Sequence, residues 1–227
     1  MRRFLFCCLA LLIADLRIMP AGAQGYPAGG GRGSQQHEHE IPSAPADVKP
    51  DKAAAKAYAA GTKTMLKAHE LEDAVAKATD PDKKAKAMSK LEDTYGHAID
   101  QFTEVLRNKG DMYDAWSQIG YLHLRFGAYR ESVDDYNHAL HLKPDLLEAI
   151  EYRGEAYLGI DHIEEAKAAY MDLFFHARPL ADHLMAAMQA WLQQHRAAAN
   201  GMRAQDIDAF DKWLQERDGI AKATAAN

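Results

Sequence analysis

The sequence predicts an all-α chain: a right-handed helix–turn–helix solenoid with an N-terminal helical hairpin and C-terminal capping helices. Three observations carry this. Two stretches superimpose at a spacing of 34 residues, a period that belongs to stacked helical units. Trp116, Gly120, Tyr136, Ala139 and Pro144 fall on one template; Ile150, Gly154, Tyr170, Leu173 and, one residue late, Pro179 fall on the same template further on. Apolar residues elsewhere recur at intervals of three and four, the period of a helix face, and no strand pattern is evident.

The N-terminus reads as a leader. Arg2 and Arg3 precede an apolar run from Phe4 to Ala14, and Ala21-Gly22-Ala23 supplies a small-x-small cleavage site. Export with cleavage after Ala23 is expected, to a periplasmic or secreted destination. The run is far short of the roughly 20 residues a spanning helix needs, although an uncleaved anchor is an alternative. Both cysteines, Cys7 and Cys8, lie inside this run, so the mature chain is expected to hold no disulfide and no thiol chemistry. Acylation at one of them is a further alternative, but it would strand most of the run on the wrong side of the cut. Without residues 1–23 the chain carries 24 basic and 32 acidic residues, a net charge of −8. That balance, with no basic stripe, argues against nucleic acid or anionic lipid as a partner.

Residues 24–52 are rich in glycine and proline and poor in bulky apolar residues, as expected of a disordered linker. His37-Glu38-His39-Glu40 within it could offer imidazoles to a divalent metal, but two histidines in an unstructured segment preorganise nothing, and a solvated linker is the expected reading.

A helical domain is expected over 53–222, with a disordered tail at 223–227. Tyr58, Met65, Ala68, Leu71 and Val75 mark one side of a first helix. Thr79-Asp80-Pro81-Asp82 ends it and caps the next. Met88, Leu91, Tyr95, Ile99, Phe102 and Leu106 then form a second stripe, either on one long helix or on two with a break near Thr94–Gly96. Repeats are placed at about 113–146 and 147–180, with a partial repeat at about 97–112. Asp111 with Asp114, and Asp145 with Glu148, have the spacing of an N-cap and its third helical residue. Gly120 and Gly154 leave room for a partner helix, and Gly127 and Asp161 sit at inter-helix turns. Trp116 and Tyr136 should fill the space between paired helices. Beyond Pro179, Leu180, Leu184, Met188, Trp191 and Leu192 give another helix. A last one, 205–217, presents Ile207, Phe210, Trp213 and Leu214, which either cap the solenoid or form an exposed dimer patch.

The repeated Trp, Gly, Tyr, Ala and Pro positions resemble the tetratricopeptide repeat (TPR) family, in its bacterial exported type, over roughly residues 97–180. The resemblance implies a non-enzymatic scaffold whose first helices line a concave groove at their second, fifth and ninth positions. Carried over, these are Asp114, Ser117 and Tyr121, then Glu148, Glu151 and Glu155. Each set runs i, i+3, i+7, one stripe on a helix. Family members that grip a peptide carboxylate carry Lys and Asn there, and these residues do not match that pattern. The acidic groove fits instead a protein or peptide partner with a basic or polar segment. An envelope component that oligomerises through its C-terminal aromatic helix is the alternative.

Enzymatic readings find little. There is no phosphate-binding glycine loop, no Gly-x-Ser-x-Gly elbow and no His-Glu-x-x-His helix. His138 and His141, one turn apart late in the second helix of a repeat, are explained by a macrodipole that favours His⁺ there; with His123 nearby in sequence, a metal-binding protein is a further alternative. No catalytic residue, metal site or cofactor is expected.

Overall fold

The computed structural model describes residues 50–197 and 204–225, which form eight α-helices and no strand. The expected leader, most of the linker and His37–Glu40 lie outside the described residues. No described helix is long and apolar enough to cross a membrane. The chain divides after Gly127 into two units, inside the first predicted repeat.

The first unit holds α1 (Pro50–Lys77), α2 (Pro81–Asn108) and α3 (Tyr113–Phe126). Asp80 caps α2 as expected, its carboxylate accepting the Lys83 N–H at 2.9 Å, with Pro81 in the first helical turn. α2 is one helix that runs through Gly96 without a break. Its contacts with α1 run in opposite directions along the two chains: Gly61 meets the Phe102 ring, Thr64 bonds Gln101, and Glu72 bonds Tyr95. The expected antiparallel hairpin is therefore present. Met65, Ala68 and Val75 from α1 and Leu91, Tyr95, Phe102 and Leu106 from α2 are buried, and Ala98 and Val105 join them. α3 packs on α2. It buries Trp116, whose indole N–H donates to the Gly110 carbonyl at 3.0 Å.

The second unit holds α4 (Tyr129–Leu142), α5 (Leu147–Gly159), α6 (Ile163–His176), α7 (Arg178–Ala197) and α8 (Ala204–Ala225). α5 packs on α4, α6 and α7, and α7 also packs on α6 and α8. Tyr136 and Tyr170 are fully buried. Gly154 lets α7 approach: a Cβ there would stand 2.7 Å from Leu184 Cδ2. Asp161 takes the left-handed conformation (φ 61°) with His162 N–H bonded to Tyr157 O at 2.9 Å and Asp161 N–H to Leu158 O at 3.1 Å, a Schellman closure of α5. Gly127 ends α3 with φ 81°.

Two expectations are corrected. α3 and α5 start one residue later than the proposed caps, with Met112 and Leu146 at the N-cap and no side-chain cap bond. Asp111 and Asp145 therefore do not cap, and Asp114 and Glu148 are second helical residues that act on the exposed N–H ends through the macrodipole. The last helix is also longer than expected, extending to Ala225 and so into the segment read as a tail. Its aromatic face turns inward: Phe210 is 1% exposed, edge-on to Trp191 with centroids 5.6 Å apart, and Ile207 and Leu214 are buried with it. This is the capping arrangement.

Two glycines of the hairpin should respond oppositely to the same substitution. A Cβ at Gly61 would lie 2.8 Å from the Phe102 ring, whereas at Gly96 it meets nothing within 4 Å. In chemical denaturation, Gly61→Ala should destabilise by about 1–3 kcal/mol and Gly96→Ala should stabilise by about 0.5–1 kcal/mol. Trp116→Ala should cost about 3–5 kcal/mol.

Candidate partner-binding faces

The three acidic residues of α5 occupy successive turns of one face, as their spacing requires. Glu148 is exposed, Glu155 half-buried and Glu151 buried, at 4% exposure. Among the described residues the close partner of the Glu151 carboxylate is the His183 imidazole of α7, with Nδ1 3.4 Å from Oε1. Burial, with the charges of Glu155 and Glu148 adding to it, pushes the Glu151 carboxyl up to about 8. A carboxyl in this state holds its proton over much of the physiological range.

The α3 stripe lies in the first unit. Asp114, Ser117 and Tyr121 are each half-buried. Asp114 acts on the Tyr58 hydroxyl of α1, which burial first and then the negative charge of Asp114 raise above the ordinary phenol range. The Tyr121 ring lies 6.2 Å from that of His69 on α1. Beside it is a buried polar cluster. Glu72 of α1 accepts from the Tyr95 hydroxyl of α2 and from Arg125 Nε of α3 at 3.2 Å, and its other oxygen faces His69 Nδ1 at 3.1 Å. Burial alone would raise Glu72, but the His69 bond, the Arg125 charge and the Tyr95 bond outweigh it and hold the group at about 2. Tyr95 is raised above its ordinary range by burial and by Glu72. The cluster joins three helices around one buried carboxylate.

The structure thus brings Glu148, Glu151 and Glu155 onto one face, and Asp114, Ser117 and Tyr121 onto another in a separate unit. Sequence reasoning missed His183, His69, Glu72 and Arg125. For Glu72 there was a signal: it falls one turn after Ala68 on the apolar stripe of α1, and an acid at such a position needs a partner. For His183 none was available, since its role depends on how α7 registers against α5. Of the other histidines, His138 and His141 are exposed on α4 and His123 is half-buried on α3.

No family model matches the chain. Over 96 residues it is 29% identical to a rice (Oryza sativa subsp. japonica) protein described as "Protein SGT1 homolog", a stretch making up 42% of this chain and 26% of that protein. The chain thus spans about a quarter of the length of this curated relative. Among solved structures it is similar to "TPR2B-domain:pHsp70-complex of yeast Sti1", with a TM-score of 0.32 and 14% identity, over 67% of this chain and 98% of that one.

The two buried acids should give opposite pH dependences. Glu72 is held below its ordinary value of 4.5, so its stabilisation is full above that value and is lost as pH falls toward about 2. Glu151 is raised, so the folded state holds its proton more tightly, and stability declines as pH rises from about 4.5 through about 8. Thermal melts across this range should show Glu72→Gln destabilised by about 1–3 kcal/mol at neutral pH. Glu151→Gln should equal or exceed the wild type, with the advantage growing toward pH 9.

Proposed function

We propose that this chain is a non-enzymatic protein-interaction scaffold of the tetratricopeptide type, acting in the cell envelope after export and cleavage near Ala23. Its α5 stripe of Glu148, Glu151 and Glu155 receives a basic or polar segment of a protein partner, and Asp114, Ser117 and Tyr121 of α3 form a second contact face. One observation carries the reading: Glu148, Glu151 and Glu155 occupy successive turns of one face of α5, an acidic stripe whose sign suits a cationic segment. The 34-residue period and the helix pairs support the scaffold class, and the acidic balance supports a basic partner. The charged leader and its short apolar run support export. Oligomerisation through the last helix has less behind it, because that helix buries its aromatic face against its own unit.

The test is calorimetric titration of the full chain with a blocked peptide of alternating lysine and serine, against a Glu148→Lys, Glu155→Lys double variant of equal helicity. These side chains are exposed and half-buried, so the variant should fold. The expected result is salt-sensitive binding that weakens at least about tenfold in the variant, a loss of roughly 1.4 kcal/mol. Equal affinities would remove α5 as the binding face. Export is checked separately by cell fractionation and intact mass, with the envelope form expected to begin at Gln24.

A further inference from the structure

Where the second half of α6 meets the start of α7 and the second half of α8, two buried donors have nothing to donate to. Tyr170 of α6 is fully buried, and among the described residues its hydroxyl has no hydrogen-bond partner. The buried Nε of Arg217 on α8 has none either. The two side chains share their surroundings. The Tyr170 ring lies edge-on to Trp213 at 5.5 Å, and the Arg217 guanidinium stands 5.9 Å from the same indole. Nη1 of Arg217 reaches the Met171 sulfur at 4.0 Å, a weak acceptor next to Tyr170 in the chain.

The charges acting on the Tyr170 hydroxyl are those of Arg178, Asp182, Arg217 and Asp218. Arg178 donates through Nε to Asp182 at 3.1 Å, and Asp218 is paired with Lys222 at 2.5 Å. Lys167, the other cation over Trp213, is paired with Glu164 at 2.7 Å. Of these cations, Arg217 is the one with no carboxylate among the described residues. Burial raises the Tyr170 phenol above its ordinary range, so the hydroxyl keeps its proton and stays a donor. Buried donors without acceptors are costly, and native structures rarely leave them so.

We propose that this corner binds a small free carboxylate, of formate or acetate size, whose oxygens accept the Tyr170 O–H and the Arg217 Nε–H. A guanidinium matches carboxylate oxygens in geometry and in charge. The charge count selects the class: one uncompensated cation suits a singly charged anion, and Asp182 and Asp218 would oppose the second charge of a phosphate. Burial selects the size, since donors beneath the surface favour a free acid over a group fixed to a partner's surface. Arg178 and Arg217 are half-buried, and side chains of this length swing without moving a helix. The site is independent of the α5 face.

The test follows the Arg217 Nε–H resonance of the full chain by NMR, assigned by its loss in Arg217→Gln. Sodium acetate is added at constant ionic strength, with sodium chloride and inorganic phosphate as the comparison arms. Acetate should give a saturating shift with a midpoint on the order of 1 mM, and chloride none. Tyr170→Phe removes a hydroxyl that has no partner and keeps the ring, so it should fold as the wild type does and bind at least about tenfold more weakly. Acetate should raise the melting temperature of the wild type. That rise should vanish in Arg217→Gln and persist in Arg196→Gln, at the other end of α7. A shift that grows linearly and equally with acetate and chloride would overturn the site. So would acetate binding unchanged in both Tyr170→Phe and Arg217→Gln. Phosphate binding more tightly than acetate would overturn the carboxylate class.

Discussion

A helix of thirteen or fourteen residues does not hold itself together in water. α3, α4, α5 and α6 are all of this length, so each owes its persistence to the neighbour it packs against. That constraint explains the composition of the contact surfaces. Where two helices must come close, small residues stand at the crossing, as Gly154 does with Ala169. Where they stand apart, an aromatic ring fills the gap, as Tyr136 and Tyr170 do at full burial. α1 and α2, at twenty-eight residues each, escape the constraint in part. They still meet through a glycine set against a phenylalanine ring.

The two buried glutamates show how surroundings, rather than residue type, decide what an acid does. Glu72 is met by a guanidinium, an imidazole and a phenol from three helices. Its charge is satisfied, and it works as a staple in the first unit. Glu151 is met by two acids and one imidazole. Its charge is unwelcome, so the proton stays. Burial with opposite partners lowers the one carboxyl and raises the other.

The parts of this fold that were legible in the sequence are those set by local chemistry. Asp80 followed by Pro81 announces a helix start on its own. The apolar stripes of α1 and α2 are readable by spacing, and Gly127 and Asp161 mark left-handed turns because few other residues tolerate them. The starts of α3 and α5 misled for a related reason. Asp111 and Asp145 have the right side chain at nearly the right place, but the backbone turns at Met112 and Leu146 without a side-chain acceptor. Contacts over long separations were not legible. Arg125 reaches Glu72 across 53 positions, and no window of sequence contains both. The candidate face was half readable: the three glutamates follow from spacing, but the burial of Glu151 and its pairing with His183 depend on how deeply Gly154 lets α7 settle onto α5.

The order of packing within each unit bears on how the chain reaches its structure. α1 meets α2, and α2 meets α3; α4 meets α5; α5 meets α6 and α7; α6 meets α7, and α7 meets α8. Partners are next in sequence or next but one, so closing any contact requires only a short loop of chain, and little loop entropy is lost before a pairing begins to stabilise. Topologies of this kind fold quickly for their length, because local pairings form first and later helices add to a surface already present. Assembly can therefore proceed from neighbouring segments, each helix adding to the one before it.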